Sequence, residues 1–179
     1  MIYVVAGLVL VGATALVNLL LTLAVIRRLR ENPGTPTSPP GPDFTGAVPV
    51  AGDRPDPFVA YDLDGTVLDD AANPATLIGF FSTSCDACVE QLPTFVRQAA
   101  DSPGGRARTV AVVQGDEAQA DNFVRELAPV ARVVVETGPS PVSTAFRIGA
   151  FPAWVLLDAD GTVRDSGVGL DRLPRLTAA

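Results

Sequence analysis

Phe80-Phe81-Ser82-Thr83-Ser84-Cys85-Asp86-Ala87-Cys88 decides the reading of this chain, because it holds both cysteines of the 179 residues at a junction between two periodicities. Before it, Leu77 to Phe81 is a continuous apolar run of strand character; after it, the pattern up to about Ala100 is helical. A helix N-terminus presents unpaired backbone N–H groups and the positive end of its dipole, so a cysteine there is favoured as the nucleophilic thiolate. With a second cysteine one turn further on, the first can attack a disulfide and the second can release the resulting mixed disulfide.

Other uses of a C-x-x-C pair fit less well. Structural zinc needs about four Cys or His ligands. This chain has no histidine and no third cysteine, so no metal is expected. Two unrelated buried cysteines would have no reason to sit three apart at a strand-to-helix junction. Composition narrows the field further. All 13 basic residues are arginine and the net charge is −7. Without lysine or histidine there is no Ser-His triad, phosphate-loop lysine or Schiff base, and no basic stripe marks a nucleic-acid footprint.

Residues 2–26 contain no charged side chain. As a helix they would reach roughly 37 Å, against a bilayer hydrocarbon core of about 30 Å. A cleaved secretory signal would show a basic leading region, a shorter apolar stretch and a small-x-small cleavage site. Residues 1–30 therefore read as an uncleaved membrane anchor. Arg27, Arg28 and Arg30 come directly after the span. Taken literally, the positive-inside rule puts the C-terminal domain in the cytoplasm, whereas dithiol proteins tethered to membranes serve the oxidising side, where disulfides arise. Residues 31–56 carry Pro33, Pro36, Pro39, Pro40, Pro42, Pro49 and Pro55 without apolar periodicity and read as an extended tether. Residues 57–179, about 120 in number, suffice for one globular domain.

Asp62-Leu63-Asp64-Gly65-Thr66-Val67 looks like the first motif of haloacid-dehalogenase-type phosphatases. Those enzymes also use a lysine or arginine against the phosphoryl group and a downstream acidic pair, and this chain has no lysine. Asp158-Ala159-Asp160-Gly161-Thr162-Val163 repeats the pattern after another apolar run. An Asp-Gly between alternating segments is a two-residue hairpin signal, so both copies read as turns.

The domain then reads as strands 58–62, 66–69 and 76–81, helix 86–100, strand 108–114, helix 117–128, strand 131–135, short helix 141–147, and strands 153–158 and 162–166. Strands alternating with helices and closed by a hairpin define an α/β sandwich. Val89, Leu92, Phe95, Val96 and Ala99 form the apolar stripe of helix 86–100, and Pro93 lies within it. Asp116, Glu117 and Asp121 at the start of the next helix read as capping and dipole-compatible acids.

The segment from Phe80 to Cys88, with Glu90 and Pro93 behind it, resembles the active-site segment of membrane-anchored thioredoxin-fold proteins of the TlpA/ResA-like group, in its MauD-type form. Ile148 to Asp158, with Phe151-Pro152 near its start, is similar to that group's second hallmark. The resemblance covers about residues 43–170. It implies a thioredoxin-like fold, Cys85 as attacking thiolate and Cys88 as buried resolving thiol. It further implies a cis-proline at Pro152, with Phe151 offering backbone groups to an extended partner segment, a kink at Pro93, no cofactor, a protein thiol or disulfide as partner and no nucleic acid. It also implies that the domain lies outside the cytoplasm.

Three positions depart from the family pattern. Ser84 stands where tryptophan is usual, which exposes the site. Gly79 stands where thioredoxins carry a buried carboxylate. Asp86 puts negative charge beside the thiolate and opposes the dipole, so a reductase or isomerase is expected rather than a disulfide donor. The alternative is a non-catalytic accessory module that keeps the fold around a static disulfide.

Overall fold

A computed structural model describes residues 12, 44, 46–69, 75–138, 140–174 and 176. The chain divides into two units, Met1–Asp43 and Phe44–Ala179. The expected anchor, and the tether up to Asp43, lie outside the described residues apart from Gly12. Among the described residues no helix is long and apolar enough to cross a membrane.

The second unit opens with a hairpin, β1 (Val59–Tyr61) paired antiparallel to β2 (Val67–Asp69). The main sheet comes next: β3 (Leu77–Ser82), helix α1 (Asp86–Ala100), a four-residue helix α2 (Gly105–Arg108), β4 (Thr109–Gln114), α3 (Glu117–Leu127) and β5 (Arg132–Glu136). A short helix α4 (Pro141–Ala145) leads to β6 (Ala153–Leu157), β7 (Val163–Val168) and a 3-10 turn (Leu170–Arg172). The sheet order is β5-β4-β3-β6-β7, with β3, β4 and β5 parallel, β6 antiparallel to β3 and β7 antiparallel to β6.

The central strands are apolar on successive residues because both sheet faces are covered. On one face Leu77, Phe81, Ala111, Val113 and Leu156 pack with Cys88, Leu92, Phe95 and Ala99 of α1 and with Ala120, Phe123 and Leu127 of α3. On the other, Ile78, Phe80, Val110, Val112 and Val155 meet Phe146, Val142 and the hairpin residues Ala60 and Leu68. This is the expected α/β sandwich.

Four local expectations change. Val89 is 48% exposed, because Cys88 takes the inward position and Val89 lies one helical step of about 100° round from it. Asp116 occupies the N-cap position of α3, yet its side chain makes no capping hydrogen bond. The two Asp-Gly turns are three-residue loops rather than two-residue ones. In each, the aspartate N–H bonds the threonine carbonyl four residues on (Asp62 to Thr66, Asp158 to Thr162), with Gly65 and Gly161 at positive φ. Finally, residues 46–56, expected in the tether, are bonded onto the domain. Gly52 N–H and the Asp53 carbonyl pair with Val163, the Ser166 hydroxyl bonds the Pro49 carbonyl, and Gly149 N–H donates to the Ala47 carbonyl. β7 is the outer strand, and this segment covers backbone that would otherwise be an open edge.

The hairpin is fastened to the sheet by a buried ion pair. Arg132 Nε lies 2.7 Å from Asp62 Oδ2, while Asp62 Oδ1 accepts the N–H groups of Thr66 and Asp64. With both oxygens occupied, Asp62 is a structural anchor. Burial works against its charged form, but the Arg132 hydrogen bond and the turn N–H groups outweigh it and hold the carboxyl below its ordinary 3.8. Its contribution is therefore present above the ordinary carboxylate range and is lost as pH falls through the depressed folded value. Asp62→Ala leaves Arg132 buried without its partner and is expected to destabilise the domain by about 3 kcal/mol in urea unfolding at neutral pH, with a smaller difference from wild type at acid pH.

Candidate redox site

The site forms where β3 ends and α1 begins. Thr83 N–H donates to the Gln114 carbonyl at 2.9 Å and Cys85 N–H to the Ser82 carbonyl at 3.2 Å, so the chain leaves the sheet in one tight turn. The Thr83 hydroxyl donates to Gln119 Oε1 at 3.1 Å, and the Ser82 and Ser84 hydroxyls are 3.0 Å apart. Gly115 backs this turn closely; a Cβ there would stand 2.0 Å from Thr83 Oγ1.

Cys85 is the N-cap residue of α1, in extended conformation, and its sulfur accepts the Cys88 N–H at 3.2 Å. The sulfur thus occupies the place where a helix presents its unpaired donors. It is half-buried, whereas Cys88 is fully buried in the core beneath it; both are free thiols. Burial pushes the Cys88 thiol up from its ordinary 9.0, and the neighbouring Cys85 pushes the same way through its hydrogen bond and its charge.

Facing the Cys85 sulfur, the Phe151–Pro152 peptide bond is cis. Cys85 Sγ lies 3.5 Å from the Phe151 carbonyl oxygen, as a thiol donating to it. Phe151 is half-buried and Pro152 buried. The chain therefore brings Cys85, Cys88, Phe151 and Pro152 together, although 66 positions separate Cys85 from Phe151. Ser84 and Asp86 lie exposed on either side of Cys85 in the chain, and Pro93 is exposed further along α1. At Gly79 there is no room for a carboxylate: a Cβ would stand 2.4 Å from Phe95 Cε2, since the Phe95 ring fills that space. Among the described residues, no group of three or more His, Cys, Asp or Glu side chains is placed to hold a metal ion.

Gln91 and Trp154 escaped the sequence reading. Both reach the Gly169–Leu170 corner behind the site. The available signal was weak: Gln91 is a polar residue one helical turn after Cys88, next to the apolar stripe.

Several proteins of known structure share this architecture. The solved structure of dsbF from MTB, in mixed oxidised and reduced forms, is matched at a TM-score of 0.51 and 25% identity, covering 65% of this chain and 89% of that one. A thio-disulfide isomerase from Thermus thermophilus is matched at a TM-score of 0.53 and 17% identity, covering 66% and 86%. StoA from Bacillus subtilis is matched at 0.51 and 18%, covering 66% and 94%. The domain is thioredoxin-like. In sequence, the chain is 30% identical over 141 residues to the methylamine utilization protein MauD of Methylorubrum extorquens, covering 74% of this chain and 64% of that protein. The resemblance to the MauD-type, TlpA/ResA-like group thus extends through sequence and fold, although the chain spans less than two thirds of that relative's length. No protein-family model matches the chain.

The accessibility of the two thiols makes a direct test. Brief iodoacetamide treatment of the reduced protein at neutral pH is expected to label Cys85 and spare Cys88, as read by peptide mass mapping. Because Cys88 stays neutral in the folded state above pH 9.0 while the unfolded chain ionises there, the reduced protein should also lose stability as pH rises past that value.

Proposed function

We propose that this protein is a thiol-disulfide oxidoreductase acting on a protein partner, with its thioredoxin-like domain tethered to a membrane by residues 1–30. The observation that carries the reading is the half-buried Cys85 sulfur, which accepts the Cys88 N–H in the first turn of α1 and lies 3.5 Å from the Phe151 carbonyl, with the Cys88 side chain buried in the core.

In this reading the Cys85 thiolate attacks one sulfur of the partner's disulfide, and the partner's other sulfur leaves as a thiolate that takes up a proton. Cys88 then gives up its proton to solvent and attacks the Cys85 sulfur. The partner's second sulfur leaves, and two electrons have passed from the dithiol to the partner. An external dithiol reductant returns the Cys85–Cys88 disulfide to two thiols. The Phe151–Pro152 backbone beside the sulfur offers hydrogen-bonding groups to an extended partner segment. Asp86, exposed at the first turn of α1, sets a negative charge against the helix dipole, which favours a reducing or isomerising role.

The charge-free run 2–26 supports the anchor, and a domain on the extracytoplasmic side suits a tethered dithiol because disulfides arise there. The boundaries 1–30, 31–56 and 57–179 belong to this proposal, with the modification that residues 46–56 are bonded to the domain.

Turnover tests the reading. With dithiothreitol as reductant the full chain should reduce insulin, and Cys85→Ser or Cys88→Ser should abolish the protein-dependent rate. Cys88→Ala should instead accumulate a mixed disulfide that can be isolated with its partner. A wild type with no dithiol-dependent rate would leave the static accessory module as the better description. A glutathione titration should poise the pair nearer the roughly −270 mV of thioredoxin than the roughly −120 mV of a dedicated oxidase.

A further inference from the structure

The two halves of the site ride on different elements: the cysteines on α1, and the Phe151–Pro152 bond on the chain leading into β6. A partner segment docked on that backbone presents its sulfur to Cys85 only if the spacing of the two elements is held, since small misplacements of reacting groups cost large factors in rate.

Behind the sulfur a chain of hydrogen bonds spans this gap. The Pro152 carbonyl accepts Gly169 N–H at 2.9 Å, and the Gly169 carbonyl accepts the Trp154 indole N–H at 3.1 Å. The next N–H, of Leu170, donates to Gln91 Oε1 on α1 at 2.5 Å. Gln91 lies one helical turn beyond Cys88. The corner is shaped for this link. Gly169 has φ +83, and a Cβ there would stand 2.7 Å from Asp171 Oδ1. Leu170 is fully buried in the same cluster as Cys88 and Leu92. Two turns after Gln91, Gln98 Nε2 donates to the Leu173 carbonyl at 3.4 Å, so two glutamines seven residues apart hold the same stretch of backbone along α1.

We propose that Gln91 is a positioning residue for exchange with peptide disulfides: through the Leu170–Gly169 corner it sets the distance between Cys85 and the Phe151–Pro152 backbone. This rests on Cys85 and Cys88 being the exchanging pair. A residue that merely filled space would need no carbonyl oxygen at this place, whereas Gln91 accepts the one backbone N–H that succeeds the Pro152-bonded glycine.

The test compares two disulfides on the reduced full chain, with the reaction read through the fluorescence of Trp154, its single tryptophan. One substrate is a pair of short peptides joined by a cystine; the other is bis(2-hydroxyethyl) disulfide, which has no backbone to dock. Gln91→Leu is expected to slow the peptide reaction about tenfold while changing the small-disulfide rate less than about twofold. Gln91→Glu keeps the acceptor and should restore most of the peptide rate. Gln91→Met, of similar length but without a carbonyl, should behave as Gln91→Leu and serves if that variant does not fold. An unchanged peptide rate in the leucine and methionine variants, or an equal fall with both disulfides, overturns the inference alone. A wild type that reduces neither disulfide overturns the proposed function and this inference with it.

Discussion

The Cys85 sulfur sits between two backbones, accepting the Cys88 N–H in the first turn of α1 and facing the carbonyl of Phe151. Everything that makes this corner a site derives from that placement. The Cys88 N–H at the helix start is shared between the Cys85 sulfur, at 3.2 Å, and the Cys85 carbonyl, at 3.0 Å. The strand-to-helix turn brings the sulfur to the rim of the sheet, while the next turn of the helix carries Cys88 into the core. One sulfur meets solvent and the other is shielded from it, although only two residues lie between them.

The rest of the domain keeps that corner in shape. α1 packs Leu92, Phe95 and Ala99 against the sheet, and Phe95 meets Phe81 edge-on with ring centres 5.2 Å apart. The same Phe95 ring fills the space over Gly79, so aromatic packing takes the volume that thioredoxins devote to a buried carboxylate. On the far face, the Asp62–Arg132 pair ties the first hairpin to β5, and residues 46–56 close the open side of β7. These are structural tasks, and they account for the phosphatase-like motif at Asp62 without any chemistry.

Much of this was legible in the chain. The continuous apolar strands, the helical stripe of α1 and the paired Asp-Gly turns all report local periodicity or local backbone preference, and the expected elements fall within a residue or two of their bounds, whereas the short helix Gly105–Arg108 and the 3-10 turn Leu170–Arg172 were not expected. Where the reading slipped, a longer-range contact decided the outcome. Val89 and Cys88 are both apolar enough for the stripe, and only the angle at which α1 meets the sheet selects Cys88. The Pro-containing segment 46–56 lacks periodicity because it is held through its backbone, by pairing with β7 and neighbouring loops, which side-chain pattern does not record.

By itself the sequence determined the order of the elements and the cysteine pair at a strand-to-helix junction, since each is written in neighbouring residues and their conformational preferences, whereas Pro152 was singled out by the family resemblance. Only the tertiary structure decided that the Phe151 carbonyl meets the Cys85 sulfur and that the Gln91 and Gly169 groups link the two halves of the site behind it. Those are distances between segments 66 to 79 positions apart, set by how helix and strands pack rather than by any local pattern.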